Sequence, residues 1–311
     1  MGDMAEKPVI KNRKLLGNAL LTLTAFIWGM AFAFQRVGMD VIEPLTFTAV
    51  RMALAAVVVG VFAAVITRRE RNASPATPPA ERKTQRSREL IGGFCCGCFL
   101  AAANSVQQIG LIYTTAGKAG FITAMYMLLV PLVSFVLFRR RISRRVWLAV
   151  AVGVAGMYLL CVNEAFRLTR GDALMCLSAL LFCGHILCCD HFSPCGNPVR
   201  ISAVQFATVT VITAVIAMLT EEPTWDKIRS AAVPILYCGV VSAGIGYTLQ
   251  MVAQKFTDPS IAALLMSLES VFAVIGGALL LGERMTGREL LGCAVMFLAI
   301  LLVQIPVRRT Q

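Results

Sequence analysis

The chain has 311 residues, of which 58% are hydrophobic and only 15% are charged, and its mean hydropathy is +0.74. These values exclude a disordered chain, a collagen-like fibre and a disulfide-stapled small domain, and they leave too few polar residues to cover a soluble enzyme. The net charge of +12 comes from short basic clusters between long apolar runs, which is typical of an integral membrane protein and not of a nucleic-acid-binding one.

Ten apolar stretches reach or approach the roughly 20 residues that a helix needs to cross a bilayer core, and they contain almost no charge. The sequence therefore predicts an all-α integral membrane protein with ten transmembrane helices in the lipid bilayer. In chain order the predicted spans are Leu15–Phe34, Pro44–Ile66, Leu90–Ile112, Ala119–Phe138, Val146–Val162, Ala173–Cys189, Ile201–Thr220, Ala231–Gln254, Pro259–Gly282 and Leu290–Ile305.

The distribution of Lys and Arg predicts the orientation of these spans. With both termini inside, the inner loops and tails hold 20 of the 29 basic residues, and the outer loops hold eight. Because basic residues favour cytoplasmic loops, we expect both termini to be cytoplasmic in a multi-pass protein of the cell membrane. The segment 67–89 is rich in Pro, Ser, Arg and Glu, and it is predicted to be a polar, mobile cytoplasmic linker.

The two halves of the chain are similar in sequence. At an offset of 154 residues, Gly17-Asn18-Ala19-Leu20 aligns with Gly171-Asp172-Ala173-Leu174, and at an offset of about 143, Arg141-Ile142-Ser143 aligns with Arg284-Met285-Thr286. We therefore predict one repeat over 15–162 and a second over 171–305, with cytoplasmic tails at 1–14 and 306–311. Five spans per repeat make the second copy inverted. Inverted repeats are typical of secondary transporters, whose substrate site lies near the midplane between the halves.

Several motifs resemble those of one transporter family. They are Gln107-Gln108-Ile109-Gly110 and the segment 113–124 in the first repeat, and Ser267-Leu268-Glu269-Ser270 and Leu281-Gly282-Glu283-Arg284 with Gly292 in the second. Over residues 15–305 the chain thereby resembles the EamA-type branch of the drug/metabolite transporter superfamily. The resemblance implies ten helices in two repeats, around a central cavity lined mainly by spans one, three, four, six, eight and nine.

The same resemblance implies the kind of cargo but not its identity. Members of the branch move amino acids, metabolites, nucleotide sugars or drugs, often outward. The first repeat departs from the family pattern, because Arg139-Arg140-Arg141 follows span four where the family often has Gly-Glu-Arg. We therefore interpret Glu283 as an end-of-helix feature and not as a functional residue.

Amide side chains occupy equivalent positions in spans three and eight. Asn104, Gln107 and Gln108 share one face of a helix, and Tyr247 and Gln250 do the same at an offset of 143 residues. Since an amide both donates and accepts hydrogen bonds, these faces suit a zwitterionic or polyhydroxyl solute. The alternative is that they form hydrogen bonds between helices that only hold the bundle together.

Aromatic side chains inside the spans are candidates for a cavity wall. Trp28 and Tyr126 lie within spans one and four, and Thr123 lies one turn before Tyr126. They suit an apolar or aromatic solute, while ordinary core packing is the alternative. Pro131 predicts a local kink in span four.

Two fixed charges lie inside predicted spans. Glu269 falls near the middle of span nine, where a carboxylate is costly to keep ionised, so it is a candidate for proton coupling. Arg51 in span two has three alternatives: it snorkels to the surface, forms an ion pair with Glu269, or attracts an anionic group. A structural ion pair is also an alternative role for Glu269.

The eleven cysteines are scattered through apolar spans and do not indicate a disulfide framework. One segment, 183–195, combines four cysteines with both histidines, and His185 and Cys188 have a spacing that suits a soft metal ion. A membrane sensor or metal-binding protein is therefore the alternative function. In the preferred interpretation no metal binds, and His185 is a titratable residue that lines the cavity.

The chain has no nucleophile–base pair and no phosphate-binding glycine loop, so we expect neither an enzyme nor a cofactor. The sequence predicts a secondary transporter that exports or exchanges a small organic metabolite, amino acid-like or drug-like, by alternating access. A homodimer through the surfaces of spans five and ten remains an open expectation.

Overall fold

A computed structural model describes residues 6–73, 79–161, 170–282 and 286–304, and within these ranges the secondary structure is helical, without a strand. Eight helical segments are long and apolar enough to cross a membrane, which confirms the all-α membrane class. They are Arg13–Gly38, Pro44–Glu70, Glu81–Leu111, Ala119–Val136, Arg170–Cys195, Pro198–Thr220, Ala232–Ala253 and Pro259–Leu281.

The first half of the chain forms six helices. They are α1 (Glu6–Gly38), α2 (Pro44–Ala73), α3 (Pro79–Leu111), α4 (Ala116–Ala124), α5 (Tyr126–Val136) and α6 (Arg144–Cys161). Helices α2 and α3 continue well beyond the apolar spans, so the segment 67–89 that was predicted as a mobile linker is helical over 67–73 and 79–89. Polar residues with good helix propensity extend a helix that the span has already nucleated.

The second half forms α7 (Arg170–Phe192), α8 (Pro198–Thr220), α9 (Trp225–Ser230), α10 (Ala232–Leu236), a π-helix (Tyr237–Tyr247), α11 (Thr248–Ala253), α12 (Pro259–Met266), α13 (Glu269–Leu281) and α14 (Gly287–Gln304). Helices α8 and α12 begin in the same way. The side chains of Asn197 and Asp258 accept hydrogen bonds from the backbone N–H two residues later, and a proline follows each cap. Gly282 ends α13 in the left-handed conformation, with φ of 71°.

The predicted spans five and ten correspond to α6 and α14, which have 18 residues each and pack against one another. They are not among the eight segments above, so their crossing of the membrane stays a prediction. The residues 1–5, 74–78, 162–169 and 305–311 lie outside the described part of the chain, as does Glu283 with its predicted end-of-helix role.

The helices of the two halves interleave. In the middle of the bundle, α2 packs against α8, and α3 packs against α7 and α8. Helix α1 packs against α13 and the π-helix, and α2 also contacts the π-helix. The main hydrophobic core therefore lies between the halves and draws residues from both.

Two of the long segments are interrupted near their middle. The helix of predicted span four breaks at Met125 between α4 and α5, and that of predicted span nine breaks at Ser267 and Leu268 between α12 and α13. In both breaks a backbone N–H bonds three residues back, from Met125 to Ile122 and from Leu268 to Leu265. Pro131, where a kink was predicted, lies within α5. The two breaks place Tyr126 and Glu269 at the first positions of α5 and α13.

Candidate functional site

A cavity lies where helices of the two halves meet. Eight of the eleven residues predicted from the sequence for substrate binding or coupling line it, together with four that were not predicted. The lining residues are Trp28, Phe32, Gln35, Arg51, Asn104, Gln107, Thr123, Tyr126, Phe182, Ser242, Tyr247 and Glu269. The first half supplies eight of them and the second half four.

Trp28 forms one wall of the cavity together with the π-helix. Its indole Nε1 donates a hydrogen bond to the Ser242 carbonyl oxygen at 3.1 Å, and its ring centroid lies 4.6 Å from that of Tyr247. A Cβ atom at Gly246 would lie 2.6 Å from the indole Nε1, so only glycine leaves room for the ring there. The π-helix and its glycine thus hold Trp28 in position.

Arg51 is buried in the cavity wall, with 2% of its surface exposed. Its Nη2 donates to Asn104 Oδ1 at 2.6 Å, and its guanidinium lies 5.5 Å from the centre of the Phe47 ring. Asn104 Nδ2 in turn donates to the Leu100 carbonyl at 3.0 Å and to the Tyr247 hydroxyl at 3.5 Å. Asn104 and Tyr247, which the sequence predicted to be equivalent positions of the two halves, therefore meet directly beside a buried cation.

Glu269 lies in the same cavity and is 3% exposed. It is close enough to Tyr126 for an electrostatic interaction, but neither Glu269 Oε1 nor the Tyr126 hydroxyl makes a hydrogen bond of ordinary geometry with any described residue. Arg51 and Glu269 form no ion pair within 4.0 Å. The cavity therefore contains one buried cationic and one buried acidic side chain that do not neutralise each other by direct contact.

Gln107 and Thr123 form a second polar contact in the wall. Gln107 Nε2 donates to Thr123 Oγ1 at 3.1 Å, and Thr123 Oγ1 lies 3.8 Å from Met175 Sδ. These bonds link α3, α4 and α7, so they hold helices together as well as facing the cavity.

Three predicted site residues are buried but do not line the cavity: Gln108, His185 and Gln250. Gln250 is the counterpart of Gln107 at an offset of 143 residues, but a π-helix precedes it, whereas α3 is α-helical throughout. A π-turn holds more residues than an α-turn. Residues that follow the π-helix, such as Gln250, are therefore rotated about the helix axis away from the face that a period of 3.6 residues predicts.

His185 lies behind the cavity wall. Its Nε2 is 3.2 Å from Gln205 Oε1 and 3.4 Å from Cys189 Sγ, and its ring stacks edge-on against Tyr247 with centroids 5.7 Å apart. Cys188, its predicted partner in a metal site, instead lies with its Sγ 3.4 Å from that of Cys96. Among the described residues, no group of three or more His, Cys, Asp or Glu side chains is placed to hold a metal ion.

Sequence reasoning missed four residues of the wall, and three of them had a usable signal. Phe32 and Gln35 follow Trp28 at i+4 and i+7, on the same helical face. Phe182 is the counterpart of Trp28 at the offset of 154 residues. Ser242 had no such signal, because it precedes Tyr247 by five residues and faces the cavity only through the π-helix.

One end of the bundle carries a cluster of charged and polar residues that we call the clasp: Glu70, Glu89, Asn197, Arg200 and Lys255. Arg200 donates from Nε and Nη2 to the two oxygens of Glu89 at 2.7 and 2.8 Å, and from Nη1 to Glu70 at 2.5 Å. Glu89 also accepts from the Asn197 backbone, and Lys255 Nζ donates to the Gly196 carbonyl at 2.8 Å. The clasp joins α2 and α3 to α8.

The opposite end carries a smaller connection between the halves, which we call the tie. Lys227 in α9 donates a hydrogen bond to Glu43, which precedes α2. Partial burial by itself raises the pKa of Glu43, but the hydrogen bond from Lys227, a backbone hydrogen bond of Glu43 and the charge of Lys227 together outweigh burial and lower that pKa below the ordinary 4.5. Nearby, the Glu221 carboxylate accepts from the backbone N–H groups of Leu45 and Thr46 at 2.9 and 2.7 Å and so caps α2.

Comparison with known proteins identifies relatives over nearly the whole chain. The model of the EamA-like transporter family matches residues 15–162 and 169–305. An uncharacterized transporter of Archaeoglobus fulgidus is 27% identical over 296 residues, which cover 95% of this chain and 88% of that protein. The uncharacterized transporter YwfM of Bacillus subtilis is 23% identical over 297 residues, covering 93% of this chain and 94% of its own. A crystal structure shares the fold at 17% identity, with a TM-score of 0.71 over 94% of this chain and 96% of the other.

Proposed function

The chain belongs to the EamA-like transporter family, and we propose that it is a secondary transporter that moves a small organic solute across the cell membrane by alternating access. The solute is amino acid-like or drug-like, and the transport is export or exchange. The cavity between the halves is the proposed substrate site, and the residues that line it are the proposed binding residues.

The observation that carries this proposal is the cavity itself. It draws polar and aromatic side chains from both halves, and several of its buried polar atoms, among them Gln35 Oε1 and Glu269 Oε1, have no hydrogen-bond partner in the described part of the chain. Because unsatisfied buried polar groups are costly, they indicate a surface that is made for a ligand.

The packing of the helices supports the inverted repeat. The contact of span three with spans six and seven has its counterpart in the contact of span eight with spans one and two. The breaks in spans four and nine also correspond, since Tyr126 and Glu269 are 143 residues apart. Discontinuous helices around a midplane site are a feature of transporters that work by alternating access.

The clasp and the tie are the proposed closures of the two sides. With both termini in the cytoplasm, as the excess of Lys and Arg in the inner loops favours, the clasp faces the cytoplasm and the tie faces outward. Opening one closure while the other holds would expose the cavity to each side in turn.

The test is solute flux in proteoliposomes. Purified protein is reconstituted and challenged with labelled amino acids, organic acids, nucleosides and cationic drugs, with protein-free liposomes as the control. Saturable uptake of one class, with counterflow from preloaded vesicles, is the expected result. A complete absence of saturable flux and counterflow across the panel would refute the transport function.

Glu269 is the proposed proton carrier, because it is a buried carboxyl group near the middle of a span and has no ion-pair partner there. We expect Glu269→Gln to reduce flux driven by a pH gradient to the level seen without a gradient, while substrate exchange continues. The measurement compares both fluxes in the same proteoliposome preparation, with Glu222→Gln, an exposed carboxylate, as the matched control. Unchanged pH-driven flux in Glu269→Gln would rule out the proton role.

A further inference from the structure

We infer that Arg51 and Asn104 form a subsite for the carboxylate of a small organic acid, which, given the proposed transport function, narrows the substrate to a monoanionic solute. The subsite consists of a guanidinium group in the cavity wall and the amide that orients it, with Nη2 of Arg51 2.6 Å from Oδ1 of Asn104.

The guanidinium group has more donors than the protein uses. It carries five N–H groups, and its bond to Asn104 is the only hydrogen bond it makes to the described residues. Its Nε is buried without a partner. A planar fork of unused N–H donors matches the two oxygens of a carboxylate, which forms two parallel hydrogen bonds with it.

The structure leaves one of the three sequence-based alternatives for Arg51. Snorkelling is ruled out because the side chain is 2% exposed and bonds to Asn104 inside the bundle. An ion pair with Glu269 is ruled out because no such contact within 4.0 Å exists between these two described residues. Attraction of an anionic group remains.

The groups around Arg51 do not neutralise it. The titratable side chains that interact with it are Cys238 and Tyr247, and a thiol and a phenol are ordinarily uncharged. Phe47 adds only the weak attraction of an aromatic ring at 5.5 Å. An uncompensated buried charge is costly, and an anion in the cavity would offset that cost.

A purely structural role does not explain why this residue is charged. At the offset of 154 residues the counterpart of Arg51 is Gln205, which is equally buried and bonds to His185 without a charge. The same position in the other half of the bundle is therefore filled by a neutral side chain. Of these two equivalent positions, the one that carries the cation is the one that lines the cavity.

The rest of the cavity defines the remainder of the solute. Trp28, Phe32, Tyr126 and Phe182 provide aromatic walls for an apolar body. One cation shares the cavity with Glu269, so the charge suits a single carboxylate better than a doubly charged phosphate.

The experiment compares acids with their neutral amides on the purified protein. Thermal unfolding is measured with increasing concentrations of phenylacetate against phenylacetamide and of benzoate against benzamide. The highest concentration is about 10 mM, tenfold above the usual upper range of KM. Benzenesulfonate and phenyl phosphate are further arms that separate a carboxylate from other oxyanions. We expect each carboxylate to raise the unfolding temperature at a concentration at least tenfold lower than its amide requires. The rise produced by the carboxylates should also be larger than that produced by benzenesulfonate or phenyl phosphate.

Substitutions then assign the preference to the subsite. In Arg51→Gln, acids and amides should raise the unfolding temperature by equal amounts. Arg36→Gln, which removes an arginine paired with Asp40 at the surface, should retain the wild-type preference for acids. If Arg51→Gln does not fold, the wild-type comparison decides. Amides that bind as well as acids, an absence of any shift with the acids, or an acid preference that survives in Arg51→Gln would each overturn the subsite.

The test of the carboxylate subsite can fail or succeed independently of the test of the transport function. Saturable flux of neutral or cationic solutes without a carboxylate preference would overturn the subsite and leave the transporter standing. Stabilisation by acids that depends on Arg51, without flux of any solute, would support the subsite and overturn the transporter. Stronger binding of phenyl phosphate than of phenylacetate would overturn the carboxylate assignment.

Discussion

At Gly246 the cavity wall depends on the absence of a side chain. The glycine is part of the π-helix, and a methyl group there would overlap the indole of Trp28, whose Nε1 bonds to the Ser242 carbonyl one turn earlier. Both the wall and its hydrogen bond therefore depend on a single residue. Sequence reasoning found Trp28 and Tyr247 but not this glycine, because close approach of two helices leaves no periodic pattern.

We expect Gly246→Ala to destabilise the protein by about 1–3 kcal/mol, the usual cost of overpacking, and to displace Trp28. The measurement is thermal unfolding together with tryptophan fluorescence, which reports on only three tryptophans. Gly60→Ala is the matched control, since a Cβ there contacts nothing within 4 Å and alanine favours a helix. Equal effects of the two substitutions would contradict the assigned role of Gly246.

Among the helices, α8 has at its N-terminus both a helix cap and the central ion pair of the clasp. Asn197 caps it, Pro198 begins it, and Arg200 in its first turn makes the two-oxygen bond to Glu89 of α3. The cap could be predicted from the sequence, because Asn-Pro before an apolar run marks a helix start. The ion pair could not, because Glu89 lies 111 residues away in the chain.

Arg200→Gln should loosen the end of the bundle that holds the clasp. Breaking a fully buried ion pair costs about 3–5 kcal/mol, and less here because Arg200 is 18% exposed. The buried Cys96, two turns after Glu89, should then react faster with a maleimide, because the local opening that exposes it becomes easier. The rate should rise about tenfold for each ~1.4 kcal/mol by which the free energy of that opening falls. Peptide mass spectrometry gives the rate, and Arg36→Gln is the control at the other end. An unchanged rate would mean that Arg200 does not hold this end closed.

On the scale of the whole molecule, the two halves are joined at both ends by charged contacts of unequal strength. The clasp uses an arginine that bonds two carboxylates, whereas the tie is a single Lys227–Glu43 contact that is about one-third exposed on each side. Exposed ion pairs contribute little to stability, so the tie is the easier of the two to open.

The tie also makes a small part of the stability depend on pH. The folded pKa of Glu43 lies below its ordinary 4.5, so its stabilisation is present above that value and is lost as the pH falls through the lowered folded pKa. We expect Glu43→Gln to lower the unfolding temperature near neutral pH, and we expect the difference from wild type to shrink and vanish as the pH falls below the lowered folded pKa of Glu43. Glu222→Gln, an exposed neighbour, should match wild type throughout this pH range. A constant difference between Glu43→Gln and wild type across this range would contradict the prediction.

The sequence by itself determined the membrane class, the transporter family and most of the cavity wall. Span length and apolar composition are local properties, and the repeat offsets bring residues such as Asn104 and Tyr247 into register without any knowledge of the fold. Only the tertiary structure decided that Arg51 bonds Asn104 and not Glu269, that Gln250 and His185 lie behind the wall, and that Ser242 lies in it. Those outcomes depend on the rotation of each helix about its axis, and the π-helix changes that rotation in a way that a period of 3.6 residues does not predict.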